Sequence, residues 1–257
     1  MSFLHATASP FYEARRDDAA GARPVPRFNA RLTARAAGVL SFVTILGGIF
    51  AQGFVSNRLL SFSDPSLTAT NILANRALFE MSFTVYLIEM ACQIASVALF
   101  YRLLRPVNGN VALVAAFVEL AGSVIKTLSR VFYIVPLFVL SGTPALRAFD
   151  AAQLRALALI LLRINDRGAA LALPFFGVSG LLFGYLIFRS RFLPRGLGIL
   201  AMIGSVGWLR FALPALRFPP FTAIVLIALA AAAVKIFWLI VYGVDEEKWA
   251  EQLRLSI

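Results

Sequence analysis

The chain is 257 residues long, 60% hydrophobic and only 14% charged, with 24 basic and 13 acidic residues and a formal net charge of +11. Soluble domains are about half apolar and a quarter charged. At a mean hydropathy of +0.82 a soluble globular fold is excluded, because it could not hide this much apolar surface, whereas a bilayer can. The basic excess fits Lys and Arg flanking membrane spans rather than a nucleic-acid surface, since no basic stripe with interleaved exposed aromatics occurs. The single cysteine, Cys92, and the single histidine, His5, preclude an intrachain disulfide and remove most metal centres. No metal and no cofactor is expected.

Residues 1–35 carry Arg15, Arg16, Arg23, Arg27, Arg31 and Arg35 with prolines at 10, 24 and 26. They lack the apolar core and cleavage site of a signal peptide. The pair Arg15–Arg16 is followed by Asp17 and Asp18, not by an apolar run. The segment reads as a disordered, basic, cytoplasmic tail.

A helix crossing the hydrocarbon core needs about 20 apolar residues. Six stretches between residues 36 and 243 qualify: Ala36–Val55, Leu78–Phe100, Val111–Leu140, Ala169–Phe188, Leu197–Leu213 and Phe221–Tyr242. They are continuous rather than alternating, so the expected fold is an all-α bundle of six transmembrane helices. Asp64–Pro65–Ser66 predicts a short helix before span two, and Pro136 predicts a kink at the far end of span three. Residues 145–167 place Leu146, Phe149, Leu157, Ile160, Leu161 and Ile164 at helical spacing, with Arg147, Asp150, Arg155, Arg163 and Asp166 largely off that face. This predicts an amphipathic helix before span four, lying in the interface or leading directly into the span; the alternative is that the segment merely lengthens span four. Residues 244–257 read as a cytoplasmic C-terminal tail. With both ends inside, inner segments hold 13 basic residues and outer ones eight, and the short inner loops are dense in Arg, which predicts both termini in the cytoplasm.

Charge inside the membrane is costly and usually turned inward and paired. Span two shows Ser82, Tyr86, Glu89, Gln93 and Ser96, and span three Glu119, Ser123, Lys126, Arg130 and Tyr133. Both sets step by three and four, so each lies on one helical face. Counting at about 1.5 Å per residue from the short connection brings Glu89 level with Lys126. The expected arrangement is a Glu89–Lys126 pair completed by Gln93 and Ser123, with Lys235 of span six as candidate partner of Glu119. Glu89, Gln93, Glu119, Ser123, Lys126, Arg130 and Lys235 are therefore the candidate binding residues. The competing reading is a purely structural seam that fixes helix register.

Gly177-Val178-Ser179-Gly180 matches the Gly-x-Ser-Gly pattern of rhomboid intramembrane proteases, but no histidine follows position 5 to act as base. A Ser179–Lys235 dyad and plain small-residue packing remain the alternatives.

Thr68-Ala69-Thr70-Asn71-Ile72 with Leu78-Phe79, Asn165-Asp166-Arg167-Gly168, and Phe175-Phe176-Gly177 through Gly184-Tyr185-Leu186-Ile187-Phe188-Arg189-Ser190 carry a family resemblance. So do Phe192-Leu193-Pro194-Arg195, Leu197-Gly198 and the stretch from Thr33 to Gly38. Together they resemble an uncharacterised bacterial membrane family, domain of unknown function 4386, over most of residues 31–243. The resemblance implies six helices and a bacterial plasma membrane, and no activity. The chain departs from the family at Glu80, where a basic residue is common, and at Asn165, where His often precedes the Asp. If that His-Asp pair acts in relatives, it is missing here. Three functions stay open: binding or transport of a small molecule or lipid between spans two, three and six; a structural or regulatory membrane protein acting through partners; and an intramembrane hydrolase. The bilayer is the one partner expected from composition, and the sequence sets no oligomeric state.

Overall fold

The computed structural model describes residues 29–212 and 220–255. Most of the basic tail and the prolines at 214 and 219 lie outside the described residues. Among the described residues every regular element is helical.

The first helix, α1 (Ala30–Leu59), starts where Asn29 accepts from the Leu32 N–H at 2.7 Å. Arg31 and Arg35, expected in the tail, thus belong to the first helix. Over Ile49–Ser56 its ladder widens to π-helix, a rare geometry found mostly at functional sites. A short helix α2 (Pro65–Ala74) follows, opened by Asp64 accepting from the Ser66 and Leu67 N–H groups, as Asp64–Pro65–Ser66 predicts. Helix α3 spans Arg76–Leu104 and α4 spans Gly109–Leu140, the latter capped by Asn108.

Helix α4 is interrupted at Arg130, whose N–H bonds back three residues to Thr127, and then stays helical through Pro136 to Leu140. The hydroxyls of Ser123, Thr127 and Ser129 each donate to a carbonyl of the preceding turn. Such back-bonding bends helices and falls just before the break.

Segment 145–167 leads directly into span four and is not a separate helix in the interface. After a 3-10 turn at Pro144–Leu146, Asp150 and Gln153 exchange capping-box hydrogen bonds, and one helix, α5 (Ala151–Arg189), runs 39 residues through span four. At 1.5 Å per residue it is about 58 Å long, nearly twice the hydrocarbon thickness, and so longer than one crossing needs. Arginines of its first half lean on α2 and the loop before it: Arg155 reaches Ser66 Oγ and Arg163 the Phe62 carbonyl.

The fifth stretch, expected over Leu197–Leu213, is not one continuous α-helix, and its last residue lies outside the described residues. Helix α6 (Arg195–Val206) has 12 residues and continues as a five-residue 3-10 helix, Gly207–Phe211. Helix α7 (Phe221–Val241) and the surface helix α8 (Glu246–Leu255) complete the chain. Five helices, α1, α3, α4, α5 and α7, are long and apolar enough to cross a membrane among the described residues.

Consecutive long elements pack side by side, and α7 closes on α1, giving a ring in chain order. Neighbours run antiparallel. Ser41 meets Ser96 while Gln52 meets Tyr86, and Ala115 meets Ser179 while Arg130 meets Asn165. Gly204 meets Ala231 while Gly207 meets Ile224. The closest approach joins α5 and α6, where a Cβ on Gly198 would lie 2.5 Å from the Phe188 nitrogen. The turn after α7 needs Gly243 at φ +68°, its missing side chain leaving room for Arg31. Residues 31 and 243 therefore share one end of the bundle. There α8 is held by Trp249, whose Nε1–H donates to the Leu103 carbonyl. At its start a hydrogen bond and ion pair from Lys248 hold the exposed Asp245 carboxyl below its usual range.

Candidate functional site

The polar stripes of α3 and α4 face inward, as their three-and-four spacing requires. Ser82, Tyr86, Glu89 and Ser96 are buried on α3, and Glu119, Ser123, Arg130 and Tyr133 on α4. The predicted ion pair is present: Lys126 Nζ donates to Glu89 Oε1 at 2.5 Å. Its expected helpers are engaged elsewhere. The Gln93 amide donates to the Glu119 carboxylate, and the Ser123 hydroxyl to the Glu119 main-chain carbonyl. Glu89 Oε2 is left buried and without a hydrogen-bond partner.

Inside the ring lies a cavity of about 210 Å³, and every long element contributes to its wall. Ser41 and Thr44 come from α1, Gln93 and Phe100 from α3, Glu119 from α4, Phe183 from α5, and Lys235 from α7. The α6 segment adds Ser205 and, from its 3-10 extension, Trp208. Small residues, Gly180, Gly204, Ala228 and Ala231, are also part of the lining, and the two glycines let α6 approach α5 and α7 closely. Ser41 and Ser96 hydroxyls are 3.0 Å apart on one wall.

Of the seven residues expected at a binding site, Gln93, Glu119 and Lys235 line this cavity, and Glu89, Ser123, Lys126 and Arg130 do not. Glu119 and Lys235 do not form the expected ion pair. No carboxylate lies within 4 Å of Lys235 among the described residues. Its ammonium sits 5.3 Å from the centre of the Phe100 ring, a cation–π distance. The cavity thus presents an acid and a base that have not neutralised each other by contact.

A second polar layer lies one to two turns along α3 and α4. Arg130, 2% exposed, stacks its guanidinium 3.6 Å over the Tyr86 ring and donates from Nη1 to Asn165 Oδ1 at 3.1 Å. Tyr86 in turn donates to Gln52 Oε1 at 2.8 Å and shares a hydrogen bond with Ser56, both on the π-helical stretch. Tyr133 stacks on Phe79 and meets Tyr86 edge-on. Gln52, Ser56 and Asn165 lie on α1 and α5, outside the two polar stripes that the spacing of α3 and α4 picks out.

Ser179 is fully buried and donates to the Ala115 carbonyl at 2.9 Å, tying α5 to α4. It does not line the cavity that holds Lys235, so the geometry builds no Ser179–Lys235 dyad. Among the described residues no group of three or more His, Cys, Asp and Glu side chains could hold a metal.

A family model, Domain of unknown function (DUF4386), matches residues 36–243. No curated protein and no solved structure matches the chain. The match takes in all of the cavity residues and most of the chain, and the chain belongs to this family.

Proposed function

We propose that this family member is a six-span protein of a bacterial plasma membrane, with both termini in the cytoplasm, that binds or carries a small polar molecule in the cavity between Glu119 and Lys235. The observation that carries the reading is Lys235: a cation facing a cavity inside an apolar bundle, with no carboxylate within 4 Å among the described residues. Keeping such a charge is expensive and marks functional positions in membrane proteins. A ligand with an anionic group for Lys235 and a hydrogen-bond donor for Glu119 would satisfy both. The cavity is smaller than the roughly 300–1,000 Å³ of drug-sized sites, which favours a metabolite-sized occupant over a lipid.

Three features support six crossings. Helix α6 with its 3-10 extension is about 28 Å long by their rises, close to the hydrocarbon thickness. It runs antiparallel to both neighbours. The shared end of residues 31 and 243 suits an even number of spans, and Arg31, Arg35, Arg189, Arg191 and Arg195 gather at that end, as cytoplasmic ends do.

The Glu89–Lys126 pair favours a second, structural role for its own part of the stripe, since it does not line this cavity. The two readings divide the polar residues rather than compete for them.

The test is a melting-temperature screen of the purified protein in detergent against small carboxylates, phosphates and zwitterions. At least one should raise the melting temperature of the wild type and fail to do so in Lys235→Gln. If none does, and Lys235→Gln and Glu119→Gln leave the melting temperature of the apo protein unchanged, the binding reading fails.

A further inference from the structure

A second pocket lies at the end of the bundle where α1 begins and α7 ends. It measures about 460 Å³ and is separate from the inner cavity. Three basic side chains from three parts of the chain border it: Arg31 at the start of α1, Arg191 in the loop between α5 and α6, and Lys248 on α8. Trp238 and Tyr242, the last aromatic pair of α7 with ring centroids 4.6 Å apart, form another wall. Asp245 is the one acid that lines it.

The pocket is held by specific contacts. Asp245 N–H donates to the Phe192 carbonyl, Arg31 N–H to Glu246, and Arg191 N–H to Gln252. These bonds join α1, the loop at 190–194 and α8 around one opening. The carbonyl end of α7 is covered separately by Arg35, whose Nη2 donates to the Val241 carbonyl at 3.1 Å.

Charge bookkeeping leaves an excess. Lys248 is spent on Asp245 at 2.9 Å. The side chain of Arg31 has no carboxylate within 4 Å among the described residues, and Arg191 reaches Glu251 only at 3.9 Å with both groups well exposed. Such an exposed pair is weak, so two guanidinium groups stay available to an outside anion. Depth is set by α7. Its 21 residues span about 31 Å, so its last turn lies at the boundary between hydrocarbon and headgroups. Trp and Tyr gather at that level in membrane proteins. Guanidinium groups suit a phosphodiester, which they can grip by two parallel hydrogen bonds.

We infer that this pocket binds the headgroup of an anionic phospholipid, its phosphate held by Arg31 and Arg191 and its glycerol backbone against Trp238 and Tyr242. The inference stands apart from whatever fills the inner cavity and from which leaflet the pocket faces.

Native mass spectrometry of the full chain, titrated with phosphatidylglycerol or phosphatidylcholine in detergent, tests it. The wild type should retain phosphatidylglycerol in preference to phosphatidylcholine. The preference should fall about fivefold for each charge removed, in Arg191→Gln and again in Arg31→Gln with Arg191→Gln. Arg31→Lys, which keeps the charge but not the paired hydrogen bonds, should retain more of it than Arg31→Gln. Arg191→Gln removes only an exposed side chain, so it reports even if the Arg31 variants fold poorly. Equal retention of the two lipids by the wild type overturns the inference, as does an unchanged preference in Arg191→Gln and in the double variant. Displacement of the lipid by millimolar inorganic phosphate also overturns it, because that outcome assigns the pocket to free phosphate.

Discussion

Glu89 and Lys126 illustrate what a single ion pair does inside an apolar bundle. Their attraction offsets a desolvation cost of several kcal/mol per ion, and removing one partner strands the other. Glu89→Gln should therefore lower stability by about 3–5 kcal/mol, read as a large fall in melting temperature in detergent. Glu80→Gln should change it by less than about 1 kcal/mol, because Glu80 is half exposed and paired with Arg76 one turn away. Similar small shifts for both variants would show that the buried pair contributes nothing. This pair was readable from the sequence, since two stripes at three-and-four spacing joined by a four-residue connection fix both face and depth. The partners of Gln93 and Ser123 were not readable. A choice between Glu89 and Glu119, one helical turn apart, is made by side-chain rotamers and neighbouring glycines rather than by spacing. Glycines 47 and 48 of α1 face the Glu89 side chain, and nothing in the periodicity of α3 points to them.

Among the helices, α5 and α6 are joined by the closest backbone contact. A methyl group on Gly198 would meet the Phe188 nitrogen at 2.5 Å and the Gly184 carbonyl at 2.6 Å. Main-chain atoms cannot step aside as a flexible side chain can. Gly198→Ala should cost about 1–3 kcal/mol through overpacking, whereas Gly196→Ala, where nothing lies within 4 Å, should be neutral or slightly stabilising. Melting curves of the two variants in the same detergent compare them directly, and equal melting temperatures would contradict the packing described. The ends of these elements were legible where a cap carries them, as at Asp64 and Asn108. The continuity of α5 was not, because an amphipathic segment leading into an apolar one has the same periodicity whether or not the helix breaks between them. Here it does not break: Gly168 at the junction is packed against Ser129 of α4, and contact with a neighbouring helix keeps a weak helix former in register. The π-helical stretch of α1 was equally hidden, since no proline marks it and Gln52 is the sole amide there.

For the whole molecule, the ring of antiparallel helices follows from short connections between apolar segments, which leave each helix beside the next. Closure of α7 onto α1 then encloses an interior that all the long elements share. The cavity could not be read from the chain. Ser41 and Ser205 are isolated hydroxyls in apolar runs, and only ring closure brings them to the same space as Gln93, Glu119 and Lys235. The seven expected site residues accordingly divide into three that line a cavity and four that pack beside it. On this reading the cavity admits water and small solutes, while the polar residues of α3 and α4 beyond it, from Glu89 to Ser82, are sealed. In a Cys92→Ser background, Ser41→Cys places a thiol on the cavity wall, and Ser82→Cys places one in the packed layer, where the native hydroxyl is fully buried. Reaction with a small, water-soluble thiosulfonate in detergent-solubilised protein measures access to each. Rapid modification of Ser41→Cys and almost none of Ser82→Cys is expected. Equal, slow modification of both would contradict this reading.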